Sequence, residues 1–253
     1  MSDQTISGYG DAPGVFRIGD VLSRVFSTWI HKLPQFLLIY IACSLPSAII
    51  SVLAGPGSTP GHANPNYGAA NSLSGILNFV LLSLAQGATI VVAVETMRGR
   101  SVRLGDAFSQ ATNRLLPLMG ASFCFGVAFL FGTLLLVIPG LMLAMRYNVF
   151  AATCVIEERG AIDSLRRSAE LTRGYRWPIF GLQLILWVPI LILSAGIAAL
   201  GIRIFGTLAG EIALELWSAI IGSLYSTMLA ATYYDLRLAN EAGDTDQIAA
   251  VFD

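Results

Sequence analysis

Arginines supply most of the chemistry available to this chain. Arg166, Arg167, Arg173 and Arg176 lie together between two apolar runs, and Arg146 lies inside one. Basic side chains at the headgroup level of a bilayer each add about 1 kcal/mol of attraction to anionic lipid, so all five are candidate lipid or anion contacts. Asp163 stands four residues before Arg167, and Glu170 can reach Arg166 or Arg173, so ion pairs along a helix surface are expected there. Asn78, Gln86 and Gln183 are amides inside other apolar runs. They are candidates for a polar path across a membrane, although hydrogen bonding between helices is the commoner use of such groups.

Catalytic chemistry is poorly supplied. His31 and His62 are the two histidines, one beside an apolar run and one in a Gly- and Pro-rich segment. The chain holds no His-Glu-x-x-His, Gly-x-Ser-x-Gly or Walker sequence, and Gly120-Ala121-Ser122-Phe123-Cys124 lacks the closing glycine. Cys43, Cys124 and Cys154 stand at unrelated spacings in apolar segments, as small core residues do. No catalytic residue, metal site, cofactor or nucleic-acid partner is expected. No acidic residue lies in the middle of an apolar run to couple protons or sodium to transport.

The elements that must position these groups are membrane helices. Of 253 residues, 55% are hydrophobic and 12% charged, with a mean hydropathy of +0.69, far from the roughly 25% charged residues of soluble domains. No charge interrupts 33–94, 115–145, 177–202 or 216–234, which leaves room for six spans of about 20 residues each. The expected fold is all-α: a polytopic membrane protein of six transmembrane helices with three cytoplasmic interfacial amphipathic helices. The spans read as Leu33–Ala54, Gly75–Val94, Leu116–Val137, Leu141–Ile156, Trp177–Leu200 and Glu211–Leu236. Their far links read as a mobile loop at 55–73, a tight turn at Ile138-Pro139-Gly140 and a loop at about 201–210. Arg17, Arg24 and Lys32, then Arg98, Arg100, Arg103 and Arg114, then Arg159 to Arg176, and finally Arg237 all fall on the opposite side. By the positive-inside rule that side, with both termini, is cytoplasmic. Arg146, five residues into span four and so about 7 Å deep, is placed to snorkel to the outer interface near Glu211 or Glu215.

Segment 1–14 has neither a basic n-region nor an apolar h-region, so a disordered end without a cleaved signal peptide is expected. Residues 238–253, with Glu241, Asp244, Asp246 and Asp253, read as a frayed acidic tail. The membrane domain between them, 15–237, suggests a threefold repeat at 15–97, 98–158 and 159–237. Ile18-Gly19-Asp20-Val21-Leu22-Ser23 and Leu104-Gly105-Asp106-Ala107-Phe108-Ser109 share a pattern of which Asp163-Ser164-Leu165 keeps a remnant. Each surface helix leads to a proline near the start of a span, Pro34, Pro117 or Pro178, and each hairpin closes on an acid and an arginine: Glu95 with Arg98, Glu157 with Arg159, Asp235 with Arg237. In span six Ser218, Gly222, Ser226 and Ala230 make a stripe of small residues that favours a place at the bundle centre.

Leu136-Val137-Ile138-Pro139-Gly140, Arg146, Val155-Ile156-Glu157, Gly160, Ser164-Leu165-Arg166-Arg167-Ser168, Leu171-Thr172-Arg173-Gly174, Trp177 and Tyr233-Tyr234-Asp235-Leu236-Arg237 together resemble the membrane domain attached to some bacterial glycerophosphodiester phosphodiesterases. The resemblance implies a multi-pass protein of the bacterial cytoplasmic membrane. The catalytic barrel of those enzymes has no counterpart in this chain, so phosphodiesterase activity is not implied.

The function expected from these features is that of a non-enzymatic integral inner-membrane protein. It would act as a scaffold or accessory module contacting anionic phospholipid or a cytoplasmic protein partner. The alternative is a small-solute or lipid transporter with its path between the repeats.

Overall fold

The computed structural model describes residues 16–54, 58–59, 62–63 and 67–252, with side chains over those ranges except at 51–52, 54, 58–59, 62–63, 67, 69–71, 137, 198–212 and 241–252. Segment 1–14, most of the loop from 55, the His62 and Glu211 side chains and those of the acidic tail therefore lie outside the described residues. The fold is all-α, with helices α1 (Ile18–Ala54), α2 (Tyr67–Met97), α3 (Leu104–Asn113), α4 (Leu115–Leu135), α5 (Val137–Arg146), α6 (Phe150–Ile156), α7 (Ala161–Leu171) and α8 (Arg176–Phe252). A two-residue antiparallel pairing, Ser58–Thr59 (β1) with His62–Ala63 (β2), is the one departure among the described residues. Among the described residues six helical stretches are long and apolar enough to cross a membrane: Ile18–Ile50, Ser72–Met97, Leu115–Leu135, Ile138–Ile156, Arg176–Ile197 and Ala213–Asn240. Helices are required there because hydrocarbon offers no partner for a backbone N–H or C=O.

Several boundaries differ from the sequence reading, each for a local reason. From Ile18 the expected amphipathic stretch 15–32 and span one form one helix, since Pro34 removes a single backbone bond and the chain continues through it and through Pro46. The loop expected to reach residue 73 is helical from Tyr67, where no proline follows Pro65 and Ser72 Oγ donates to the Gly68 carbonyl. The turn before span four falls at Leu136, which alone is extended (φ −163°, ψ 138°). Pro139 sits in the first turn of α5, where a missing N–H leaves nothing unsatisfied. Neither a loop at 201–210 nor a frayed tail interrupts α8, which is helical to Phe252. That helix must nevertheless reverse between Ile197 and Ala213, because Trp217 Nε1 donates to Ser194 Oγ (2.8 Å) and the Trp187 and Tyr225 rings lie 5.5 Å apart.

In each hairpin the second span is the more buried: 50% against 33%, 56% against 11%, and 39% against 17%. The molecule is thus three hairpins whose second spans face inward. The buried residues gather at the arginine-bearing end, in Ala85–Val94, Val149–Val155 and Met228–Tyr233. Small side chains permit this packing. Gly87 meets Ala111, Leu118 and Val155, and Gly222 lies under the Tyr40 ring, whose hydroxyl shares a 2.6 Å hydrogen bond with Ser226. Of the expected stripe in span six, Ser226 and Ala230 are buried and Gly222 half-buried, but Ser218 at its start is exposed. The far end exposes Leu134, Leu135, Leu136, Ile138, Leu191, Ile192 and Leu193, apolar surface suited to lipid. Helices α3 and α7 pack against the arginine-bearing end, α3 through buried Ala107 and Ala111.

The link of the second hairpin depends on Gly140. A Cβ there would meet the Thr133 backbone nitrogen and Cα at 2.8 and 2.9 Å, whereas one at Gly126 meets nothing within 4 Å. Gly140→Ala should lower stability in detergent by about 2 kcal/mol and Gly126→Ala by much less, as read by thermal unfolding. Equal transitions for the two variants would refute this packing of α4 on α5.

Candidate functional site

The fourth span is discontinuous. Helix α5 ends at Arg146, residues 147–149 are not helical, and α6 resumes at Phe150. A break frees backbone groups that must find partners in a dry environment, and α7 supplies them. The Val149 N–H donates to Ser168 Oγ (3.2 Å), Ser168 Oγ donates to the Arg146 carbonyl (3.3 Å), and Thr172 Oγ1 donates to that same carbonyl (3.0 Å). Farther along, Thr153 Oγ1 donates to the Ser164 carbonyl (3.0 Å). Ser164, Ser168 and Thr172 recur every four residues, so they form one stripe of α7, and all three are fully buried. The inward face of this amphipathic helix therefore carries hydroxyls along α6. Sequence reading missed that role, though the Ser-x-x-x-Ser-x-x-x-Thr spacing was a visible signal.

The break has a defined level. The Tyr147 and Phe150 rings lie 6.4 and 5.5 Å from that of Phe125, the middle residue of α4. Arg146 is the tenth residue of α5, about 14 Å from its start, so the shallow depth of about 7 Å expected from a later start is corrected. Its side chain is exposed, with the guanidinium 5.6 Å from the Tyr147 ring centre. No ion pair joins it to Glu215 among the described residues. Asn148 is 5% exposed, and both polar atoms of its amide lack a partner.

At the end of the span, Glu157 is a hub. Its carboxylate, 13% exposed, accepts from Arg159 Nε (2.7 Å), Arg167 Nε (3.5 Å) and Tyr233 Oη (3.1 Å). The other hairpins end on comparable carboxylates: Glu95 with Arg98 (2.6 Å) and Arg100 (3.5 Å), and Asp235 with Arg24 (3.2 Å). The third closure expected within one hairpin is instead made across the molecule, by Arg24 of α1, which also stands 4.9 Å from the centre of the Tyr234 ring. Arg237 reaches Tyr233 Oη at 3.5 Å. Arg114 donates to both the carbonyl and the carboxylate of Glu158, whose φ of 54° is costly for a side chain with a Cβ. A polar cleft of about 380 Å³ opens there, lined by Asp106, Ser109, Gln110, Asn113, Arg114 and Glu158.

The five candidate arginines separate. Arg167 belongs to the Glu157 hub and also meets Glu170 (3.5 Å), so the expected pairing with Asp163, and that of Glu170 with Arg166 or Arg173, is replaced. Arg176 is half-buried and its Nε has no hydrogen-bond partner. Arg146, Arg166 and Arg173 are exposed and enter no ion pair among the described residues. The three amides are not brought together. Asn78 Nδ2 donates to Ser47 Oγ of α1 (2.9 Å), and half-buried Gln86 and Gln183, on α2 and α8, share no hydrogen bond with it or each other.

Residues 69–236 match the family model described as Domain of unknown function (DUF7847), more than half of the chain. No curated protein and no solved structure matches it.

Glu157→Ala should cost about 3 kcal/mol, because it strands two arginines and a tyrosine hydroxyl at a mostly buried position. Asp163→Asn, at an exposed residue outside every ion pair described, should cost little. Paired thermal melts in one detergent would measure the difference, and a Glu157→Ala melt within a degree of wild type would remove the hub from the account.

Proposed function

The chain belongs to the family described as Domain of unknown function (DUF7847), and from that premise and the site geometry we propose that it is a non-enzymatic scaffold or accessory module of the bacterial inner membrane. Both termini lie in the cytoplasm, and its basic end contacts anionic lipid or a cytoplasmic protein. One observation carries the proposal: Glu95, Glu157, Glu158, Glu170 and Asp235 at that end are each engaged by arginine, while Arg17, Arg103, Arg166 and Arg173 are exposed outside any described ion pair, against the exposed aspartates Asp20, Asp106 and Asp163. Surplus positive charge at a helix-bundle rim favours an anionic surface and fits the positive-inside orientation. The resemblance of the central stretch to the membrane domain attached to some glycerophosphodiester phosphodiesterases supports an accessory role beside lipid-headgroup chemistry.

A second reading, transport of a small solute or lipid between the hairpins, is favoured by a different observation. Interrupted helices with polar groups at the break are how many transporters form their sites, and here the break holds Asn148 buried without a partner. Saturable flux in proteoliposomes that is lost in Asn148→Leu would establish it over the scaffold reading.

The test of the scaffold reading is gentle purification from native membrane followed by mass spectrometry of retained lipids and proteins. The combined change Arg17→Gln, Arg103→Gln and Arg166→Gln should reduce co-purifying anionic phospholipid or a specific protein several-fold without lowering the melting temperature. Unchanged lipids and proteins in the triple variant would sink the proposal.

A further inference from the structure

Two of the unpaired arginines arise from touching backbone. Thr172 Oγ1 and Ser168 Oγ both donate to the Arg146 carbonyl, so the end of α5 and the end of α7 are in contact, and Arg173 is the residue after Thr172. Thr172 is buried while Arg146 and Arg173 are exposed. Both guanidinium groups therefore leave this junction toward the surface. Arg176, the first residue of α8 and three residues past Arg173, adds an Nε that is buried without a hydrogen-bond partner among the described residues. None of the three has a carboxylate partner among the described residues; Glu170, the nearest acid in sequence to Arg173, is held by Arg167.

The surroundings are those of a lipid boundary. Ile138, Met142 and Arg146 follow one another at four-residue steps along one face of α5, and Met142 is 54% exposed and Ile138 69%. Arg146 thus ends an exposed apolar stripe. Trp177, 81% exposed, stands just beyond Arg173 and Arg176, and tryptophan at such a position is an interfacial anchor. The ten residues of α5 cover about 15 Å, half of the roughly 30 Å of a hydrocarbon core. Helix α6 beyond it has six of its seven residues buried, and α7 beside it presents Asp163, Arg166 and Glu170 to solvent, with exposed Arg173 in the turn after it. On this face, headgroups must therefore reach in as far as Arg146. Two or three cations at the edge of hydrocarbon are expensive unless an anion meets them, and an arginine fork fits phosphate oxygens in a bidentate way.

We propose that Arg146 and Arg173 clamp one phosphate group, with Arg176 beside them, and that the exposed α5 stripe takes the acyl chain of the phospholipid that bears it. The inference rests on the anionic-lipid reading above and narrows it from a diffuse basic rim to one site. The shared chemistry is a phosphate ester or a free phosphate, and the length of the apolar stripe favours the lipid.

Native mass spectrometry of the full chain in detergent, titrated separately with phosphatidylglycerol, phosphatidic acid, phosphatidylcholine and inorganic phosphate, tests it. One phosphatidylglycerol or phosphatidic acid per chain should bind in preference to phosphatidylcholine. Arg146→Gln and Arg173→Gln should each weaken that binding about tenfold, a loss of one charge-assisted contact. Arg146→Lys should recover part of it, because the charge returns without the fork. Melting temperatures should not move, since the Arg146 carbonyl, not its side chain, holds the break. Competition by millimolar inorganic phosphate with no preference for lipid would overturn the lipid as occupant and leave a soluble phosphate site. Wild-type affinity in both Gln variants would overturn the clamp. If those variants bind normally while the Arg17, Arg103 and Arg166 triple variant loses lipid, the general reading survives and this site does not. Loss in neither set removes both.

Discussion

The arrangement of this protein depends on one requirement: the backbone freed at the break in the fourth span must be satisfied inside an apolar bundle. An unpartnered carbonyl or N–H there costs several kcal/mol. The hydroxyls of Ser168 and Thr172 meet the Arg146 carbonyl and the Val149 N–H, and this pins α7 against the span. Because α7 is pinned, Arg167 reaches the Glu157 carboxylate, and Thr172, the residue before Arg173, touches Arg146. A single stripe of three hydroxylated residues thus links the membrane segment to the charged end of the molecule.

The same end is where the bundle is tightest. Each inner span terminates in a mostly buried carboxylate held by arginine, and these pairs close the core where Ala85–Val94 and Met228–Tyr233 are out of reach of lipid. Toward the other end the helices present leucine and isoleucine outward. Lipid is therefore packing material there, whereas side-chain complementarity does the packing at the arginine-bearing end. The apolar surface is also uneven around the bundle. The 21 residues of α4 cover about 32 Å, twice the length of α5 before its break, so the bilayer beside α5 has to thin or its headgroups have to descend.

Much of this was legible in the sequence. Uninterrupted apolar runs located six spans, and the acid and arginine at the ends of the first two hairpins do pair, because both signals are local. The misses were of two kinds. Arg146-Tyr147-Asn148-Val149 contains neither glycine nor proline, so nothing in its composition announces a helix break; the break is stabilised from another helix. Likewise Asp235 has an arginine two residues away, yet it is Arg24 that pairs with it, a contact set by how α1 docks on α8. The Ile-Pro-Gly signal was misplaced by two residues because proline tolerates the first turn of a helix as readily as the turn before it.

Arginines that look equivalent in sequence are sorted by the carboxylates within reach. Glu95, Glu157, Glu158, Glu170 and Asp235 engage Arg98, Arg100, Arg159, Arg167, Arg114 and Arg24, while Asp20, Asp106 and Asp163 stay exposed outside any described ion pair. Arg17, Arg103, Arg146, Arg166 and Arg173 remain exposed without such a partner among the described residues. A chain with a formal net charge of −1 can therefore still present a locally cationic face. The arginines nearest the buried hub hold the fold together and those at the rim are left to meet an anion, so replacing members of the two groups should have different consequences even where they are adjacent in sequence, as Arg166 and Arg167 are.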